Sequence, residues 1–435
     1  MPKTAFIEGL LEYIQSSPTA FHATKNASVL LAQNGFIRLD EKKDWGRIAP
    51  GSYYVIRNQS SLIAFHLGGA GKKRRFLRMA GAHTDSPGLK LKPQPVTVNH
   101  CCLQLGVEVY GGALLNPWFD RDLSLAGLVV SRTAEGALQQ ILVDVKKPVA
   151  IIPSLAIHLD REANNKRSID KQKDLAPLVM IRDDKADPSL ESLLKKHLPA
   201  NCSGSILDFD LFFYDTQPPA IIGLKEDFIT GARLDNLLSC YALLQAGIAA
   251  SGTRDFLLVL NNHEEIGSVS TTGAQGTFFT SVLHRLFPDQ ETCAQVTGNS
   301  LFVSVDNAHA VHPSFAHRHE PQHLPLLNKG IVLKKNANLR YATDACSAAL
   351  FKMTCQKAKI PVQEFVMRSD MACGSTIGPV TAASTGISTV DVGVPSLGMH
   401  SVRETAGVQD VWYLYKAMSC FFQEEQSSFR LLEPE

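Results

Sequence analysis

Two adjacent carboxylates, Glu264 and Glu265, follow the apolar run Phe256-Leu257-Leu258-Val259-Leu260 after only Asn261-Asn262-His263. Side by side they repel, so both stay ionised near a strand end only beside a cation; otherwise one takes up a proton. An isolated pair of this kind is usually a solvated turn, since Glu is seldom buried. The reading changes with what other segments deliver to the same edge. His83 closes an apolar run that begins at Phe76, Asp306 follows Leu301-Phe302-Val303-Ser304-Val305, and His400 comes after the run Ser388 to Val394. Asp235 heads a segment in which Leu234, Leu237, Leu238, Tyr241 and Leu244 recur at helical spacing. Imidazole and carboxylate together suit zinc or a similar divalent ion, and five ligands exceed what one tetrahedral zinc takes, so two cations are indicated. Two divalent charges are matched by Asp235, Glu265, Asp306 and one hydroxide, which leaves Glu264 spare as a general base. Taken singly, His83 reads as an ordinary satisfied histidine and Asp306 as a turn or helix cap. Convergence of all five on one edge is what argues for a centre. Asp85, just beyond His83, is placed to accept the ring's other N–H and fix its tautomer.

The elements that must position these groups follow from periodicity. Phe6, Leu10, Leu11 and Ile14 predict a helix stopped by Ser16-Ser17-Pro18, and Ala27 to Gln33 predicts a second that ends at Asn34-Gly35. Tyr53 to Arg57 and Ser61 to His66, separated by Asn58-Gln59-Ser60, predict an antiparallel hairpin, and Phe76 to Ala82 a third strand. From about Lys92 to Pro218-Pro219 the texture is β-rich, with short alternating runs around Val96, Leu105, Val129, Leu142 and Leu207 to Tyr214. Residues 92–222 therefore read as an insert into an α/β unit made of residues 1–91 and 223–435. Within it, Ala163 to Arg167 and Arg182 to Lys185 read as exposed loops. After residue 223 the helix at Leu234, the strands at Phe256, Leu301, Glu364 and Ser388, and a helix over Asp344 to Lys357 restore an α/β alternation. Open α/β sheets of this kind keep their ligands at the carboxyl ends of the strands.

Composition narrows the class. The chain has 435 residues, 45% hydrophobic and 20% charged, with a formal net charge of +1. That is enough chain for two domains, and it lacks the basic excess of a dedicated nucleic-acid protein. The run Gly68-Gly69-Ala70-Gly71-Lys72-Lys73-Arg74-Arg75 is no phosphate loop, because His66 and Lys73 stand where Walker spacing needs Gly and Ser or Thr; it reads as a solvated hairpin tip. The nine cysteines are scattered, without a CxxC pair, so neither a zinc ribbon nor a disulfide framework is expected. No signal-like amino terminus and no apolar stretch of about 18 residues is present. A cytoplasmic protein with reduced thiols and no membrane contact is expected.

The motifs Ala82-His83-Thr84-Asp85-Ser86-Pro87-Gly88, Arg233-Leu234-Asp235-Asn236, His263-Glu264-Glu265-Ile266-Gly267, Val305-Asp306-Asn307-Ala308-His309 and Gly398-Met399-His400-Ser401 resemble the aspartyl aminopeptidase family, and the resemblance spans essentially the whole chain. It implies a cytosolic exopeptidase with two zinc ions per subunit that removes an acidic residue from peptide amino termini. The implied fold is a phosphorylase/hydrolase-like α/β zinc-peptidase domain with a mixed, centrally parallel sheet, plus an inserted β-rich dimerisation domain. Dimers would assemble into a tetrahedral dodecamer. By resemblance, His83 and Asp306 hold one zinc, Glu265 and His400 the other, Asp235 bridges them, and Glu264 is the base. Resemblance also puts His158, from Ile152 to Leu159, in the active site of a partner subunit. Read from residues alone, His158 is a histidine in an apolar strand. The family's lysine for the acidic side chain falls on Lys334, with Lys335 beside it as a second candidate. Tyr341 and the loop Met371-Ala372-Cys373-Gly374-Ser375-Thr376 correspond to its substrate-lining residues, among them Met371, Gly374 and Ser375.

Five histidines, His309, His312, His317, His319 and His323, also invite a metal reading, but Pro313 and Pro321 interrupt their spacing and a loop or interface role is expected. Two other functions share the residues. The same two-metal site suits a neutral-residue aminopeptidase, a deacylase or a carboxypeptidase. A non-catalytic assembly or cargo protein on a peptidase fold would have lost a ligand or the base, and none is missing.

Overall fold

The structure is a computed structural model that describes residues 1–68, 76–133, 135–182, 189–194, 197–198 and 205–424. The Lys72–Arg75 tip and positions 183–185 of the second expected loop lie outside the described residues. The other expected loop, at Ala163, is a single exposed helical turn over Ala163–Lys166. Among the described residues no helix is long and apolar enough to cross a membrane.

The main sheet runs, from edge to edge, Ile37–Arg38, Gly51–Arg57, Ser61–Leu67, Phe256–Asn261, Arg78–His83, Leu301–Val305, Ser388–Gly393, Ile331–Lys335 and Val362–Val366. Its four middle strands, from Phe256–Asn261 to Ser388–Gly393, are mutually parallel, and antiparallel neighbours flank them on both sides. Every residue of Phe256–Asn261 and Leu301–Val305 is buried, as a parallel sheet covered on both faces requires. Side chains alternate between two cores. Leu258 and Leu260 pack with the helices Lys3–Gln15, Leu234–Ala250 and Val408–Gln423, whereas Leu257 and Val259 pack with Phe278–Leu286, Gln290–Asn299 and Ile377–Thr385. The parallel register Asn261↔His83 and Val305↔Val392 brings the strands' carboxyl ends to one edge.

Two helices differ from their sequence pattern. The second begins at Ala20, because Phe21, Ala23 and Thr24 are buried and extend its inner face. The helix Leu234–Ala250 shows a single apolar face in sequence but is buried almost all round. Its outer side is covered by the two terminal helices; the ring of Tyr241 lies 5.3 Å from that of Phe6.

A second, six-stranded antiparallel sheet has the order Leu138–Asp144, Leu123–Arg132, Ile206–Asp215, Gly88–Asn99, Cys102–Tyr110, Leu178–Ile181, with its own core around Leu91, Val107, Leu125, Val129 and Phe213. It draws on residues 88–215. Leu89 and Leu91, ahead of the expected boundary at residue 92, already face this sheet's core. Ala220–Ile222 pairs instead with Phe228–Gly231 in a third sheet that continues through Glu404–Gly407, Pro395–Leu397 and Ala308–His309.

Gly393, at the end of its strand, lies against the backbone of Asp306: a Cβ there would stand 1.8 Å from the Asp306 carbonyl oxygen. Gly393→Ala is therefore expected to push Asp306 out of place and to destabilise the fold by about 1–3 kcal/mol, the usual range for overpacking. Denaturant melts together with zinc content would check both parts.

Candidate metal centre

His83 is the last residue of Arg78–His83 and is almost completely buried. Its Nε2 lies 3.4 Å from Asp235 Oδ1 and 3.5 Å from Asp306 Oδ1, Asp306 being the first residue beyond Leu301–Val305. Asp235 enters from the start of the helix Leu234–Ala250, where Asp235 and Asn236 depart from helical backbone angles and Asn236 Nδ2 donates to the Val305 carbonyl, 2.8 Å. The second oxygen of Asp235, Oδ2, faces His400 Nε2 at 3.7 Å, and His400 Nε2 is 3.4 Å from Glu265 Oε2. One carboxylate thus presents an oxygen to each of two clusters, His83 with Asp306 and His400 with Glu265.

The donor set fits cations. Donor atoms of His83, Asp235 and Glu265 all lie within 4.8 Å of one another. Asp235 Oδ1 and Glu265 Oε1 are buried with no hydrogen-bond partner, an arrangement that is costly in a protein interior unless a positive charge meets them. Burial, and after it the charge of Asp306, raises the Asp235 carboxyl; burial and then Asp235 raise Glu265. Glu264 is pushed up to about 8 by burial, with Asp306, Asp85 and Asp235 adding and His83 opposing. Burial disfavours charge on His83, but its contacts with Asp235, Asp306 and Asp85 outweigh that and raise it. Burial would raise Asp306 too, yet Lys334 and His83 hold it below the usual carboxylate range. So many carboxylates in one buried space are what divalent cations neutralise, and histidine nitrogen with carboxylate oxygen is a zinc donor set.

Several placements differ from expectation. Strand Phe256–Asn261 does not run straight into the acidic pair. His263 takes a left-handed conformation (φ 62°), and the pair sits on a short 3₁₀ turn, Glu264–Ile266, closed by Gly267 at φ 94°. The His263 ring anchors that turn, its Nδ1 2.7 Å from Ser270 Oγ. His400 lies beyond an additional short strand, Pro395–Leu397, in a left-handed turn (φ 67°). Asp85 meets His83 Nδ1 with its backbone carbonyl at 3.0 Å and its carboxylate Oδ1 at 3.5 Å. The carboxylate also accepts from Tyr110 Oη at 2.7 Å and from the N–H groups of Glu264 and Glu265, each at 3.2 Å. It therefore braces the Glu264–Ile266 turn. Neither Tyr110 nor the Gly112 carbonyl, 3.1 Å from His400 Nδ1, carries any motif in the sequence. Both come from the six-stranded sheet or the turn after it.

On the neighbouring strand Ile331–Lys335, Lys334 is buried. Its Nζ donates to the Asn307 carbonyl at 3.1 Å, lies 3.5 Å from Asp306 Oδ2, and stands 5.1 Å from the ring centre of buried Tyr341. Lys335, one residue on, faces Glu364 at 3.3 Å. Met371, Gly374 and Ser375 are exposed on one loop; Ser375 Oγ donates to the Arg340 carbonyl at 3.2 Å, and Met371 lines a cavity with His309, His312, His319 and Met367. Three of the five clustered histidines thus line a cavity, while His323 pairs with Glu320 and His317 is exposed. His158 is not in a strand. It stands on an exposed turn, and Leu155, Ile157 and Leu159 around it are exposed too. Among the described residues it makes no hydrogen bond or ion pair with the metal-centre groups.

Comparison with known proteins agrees with this geometry. Residues 13–422 match the model of the family described as Aminopeptidase I zinc metalloprotease (M18). The chain is 50% identical over 424 residues to the probable M18 family aminopeptidase 2 of Azotobacter vinelandii, covering 97% of this chain and 98% of that protein. It superposes on a chain of the Ape4 and Nbr1 complex with a TM-score of 0.95 at 38% identity, covering 99% of this chain and 88% of that one. A chain of the yeast mApe1 dodecamer superposes with a TM-score of 0.84 at 28% identity over 98% of both. A match of this length and identity makes the chain a member of the M18 family of zinc aminopeptidases.

Proposed function

We propose that this aminopeptidase releases an amino-terminal Asp or Glu from peptides, with two zinc ions in each subunit. In this reading His83 and Asp306 would hold one ion, Glu265 and His400 the other, and Asp235 would be a ligand shared by both positions. Bound zinc supplies Lewis acidity, polarising the scissile carbonyl and making water a nucleophile near neutral pH. Glu264 takes a proton from the attacking water and passes it to the departing amine as the C–N bond breaks, leaving a free acidic amino acid and a peptide shortened by one residue. Asp85, holding both N–H groups of the Glu264-Glu265 turn, keeps the base and the ligand in separate directions.

The observation that carries the acidic preference is Lys334: a buried ammonium beside the centre, confined by the Tyr341 ring, is suited to a substrate carboxylate. Lys335 is engaged by Glu364 on the other face of the strand and takes no part. A second reading, a neutral-residue aminopeptidase, draws support from the contact of Lys334 with Asp306, which already occupies part of its charge. Comparing kcat/KM on Asp-, Glu-, Leu- and acyl-blocked peptides separates the two, and cleavage of the blocked peptide would indicate a deacylase. Charge-assisted hydrogen bonds contribute about 1.5–3 kcal/mol, so Lys334→Met is expected to lower the Asp-to-Leu ratio by about 10- to 100-fold. An unchanged ratio would remove Lys334 from substrate recognition.

The proposal extends to assembly. The exposed turn bearing His158, with Leu155, Ile157 and Leu159, is suited to entering the active site of a second copy, with residues 92–222 as the dimerisation unit and dimers building a dodecamer, the assembly of the related yeast mApe1. Cysteines among the described residues are free, consistent with a cytoplasmic location.

A further inference from the structure

Glu404 belongs to none of the motifs above, yet it is a buried charged residue at the start of the strand Glu404–Gly407. Its two oxygens have different partners. Oε2 accepts the backbone N–H of Asp235 at 2.9 Å, and Oε1 accepts the backbone N–H of His400 at 2.8 Å. We propose that Glu404 is a positioning residue that sets the span between Asp235 and His400, and through it the retention of zinc at the Glu265–His400 position; this rests on the two-zinc reading above.

The two N–H groups need an external acceptor. Asp235 lies in the non-helical opening of its helix, where N–H groups lack intrahelical partners, and His400 sits in a left-handed turn, uncommon for a non-glycine residue. They are brought together by the pairing of Glu404 with Gly231 in the third sheet, which puts the carboxylate between the loop entering Asp235 and the turn carrying His400. A single planar carboxylate, held on a strand, thus ties two segments far apart in sequence. Among the described residues Glu404 makes no hydrogen bond or ion pair with the Nε2 or Oδ atoms that face the metal positions, and its hydrogen bonds act on the backbone of the two ligands.

Glu404→Gln tests this without changing side-chain volume. An amide keeps one acceptor oxygen and turns an NH₂ toward the other backbone N–H, so one of the two bonds becomes a donor–donor contact. Starting from zinc-loaded enzyme, we expect zinc loss to a chelator at about 10- to 100-fold lower chelator concentration than wild type, the usual effect of losing a residue that orients a ligand. The metal-free variant should melt somewhat below wild type, because one buried N–H has lost its acceptor, and the rise caused by added zinc should be reduced on top of that. Glu404→Asp, which keeps both acceptors but withdraws them by one methylene, should show the same pattern. Wild-type resistance to chelator in both variants would overturn the proposal. An insoluble variant, or a metal-free form destabilised as much as the loaded one, would also overturn it by making Glu404 a general residue of the fold. Wild-type enzyme that binds no zinc would instead overturn the metal centre itself.

Discussion

Replacing Glu264 by Gln is expected to lower kcat by about 10²- to 10⁴-fold, the usual contribution of a general base, while zinc content stays at the wild-type level. Neighbouring side chains divide the labour. Glu265 faces His400 Nε2 at 3.4 Å, and its other oxygen is a buried acceptor without a hydrogen bond; it is the member of the pair suited to a cation. Glu264 is close enough to His83, Asp306, Asp85 and Asp235 to feel their charges, which makes it the carboxylate free to carry a proton. Gln preserves the side chain's shape and cannot accept that proton. Steady-state kinetics on an Asp-peptide, with metal analysis on the same preparation, provides the check. Ordinary turnover in the variant would place the base elsewhere, and loss of zinc would make Glu264 a ligand.

Asp235→Asn is expected to abolish zinc-dependent stabilisation and activity together. Asp235 is the group common to both clusters, 3.4 Å from His83 and 3.7 Å from His400, so its loss affects two positions at once. An amide keeps the shape but removes the negative charge and one of the two acceptor oxygens. Linkage sets the size of the readout: zinc at 100 times its Kd stabilises wild type by about 2.7 kcal/mol for each site filled, and the variant should show no such rise at the same concentration. Melting curves with and without zinc measure this independently of turnover. A full zinc-dependent rise in Asp235→Asn would mean that the carboxylate does not join the two sites. In the wild type, chelation should remove both the stabilisation and the peptidase activity; activity indifferent to chelator would contradict zinc catalysis.

Much of this organisation is legible without coordinates, for local reasons. Buried parallel strands need continuous apolar runs, so Phe256 to Leu260 and Leu301 to Val305 announce themselves, and polar residues just beyond such runs must lie at the sheet's carboxyl edge. That logic brings His83, Asp235, Glu265, Asp306 and His400 together from chain order and residue type alone. Local pattern says less where a neighbour far away in sequence decides. Strand alternation puts Lys334 and Lys335 on opposite faces, but only the packed sheet shows that Lys334 is the one beside Asp306. An apolar segment resembling a strand turns out to be the exposed His158 turn, a placement that local pattern does not show. The Asp85 carboxylate also reaches Tyr110 and the Glu264-Glu265 N–H groups, while its carbonyl meets His83. By itself, then, the amino-acid sequence determined the strands, their ends and the chemical types waiting there, since these depend on residues within a few positions of one another. Tertiary structure alone decided which atom meets which, including the reach of Glu404 to both Asp235 and His400, because hydrogen-bond partners separated by long stretches of chain are selected by packing and leave no periodicity behind.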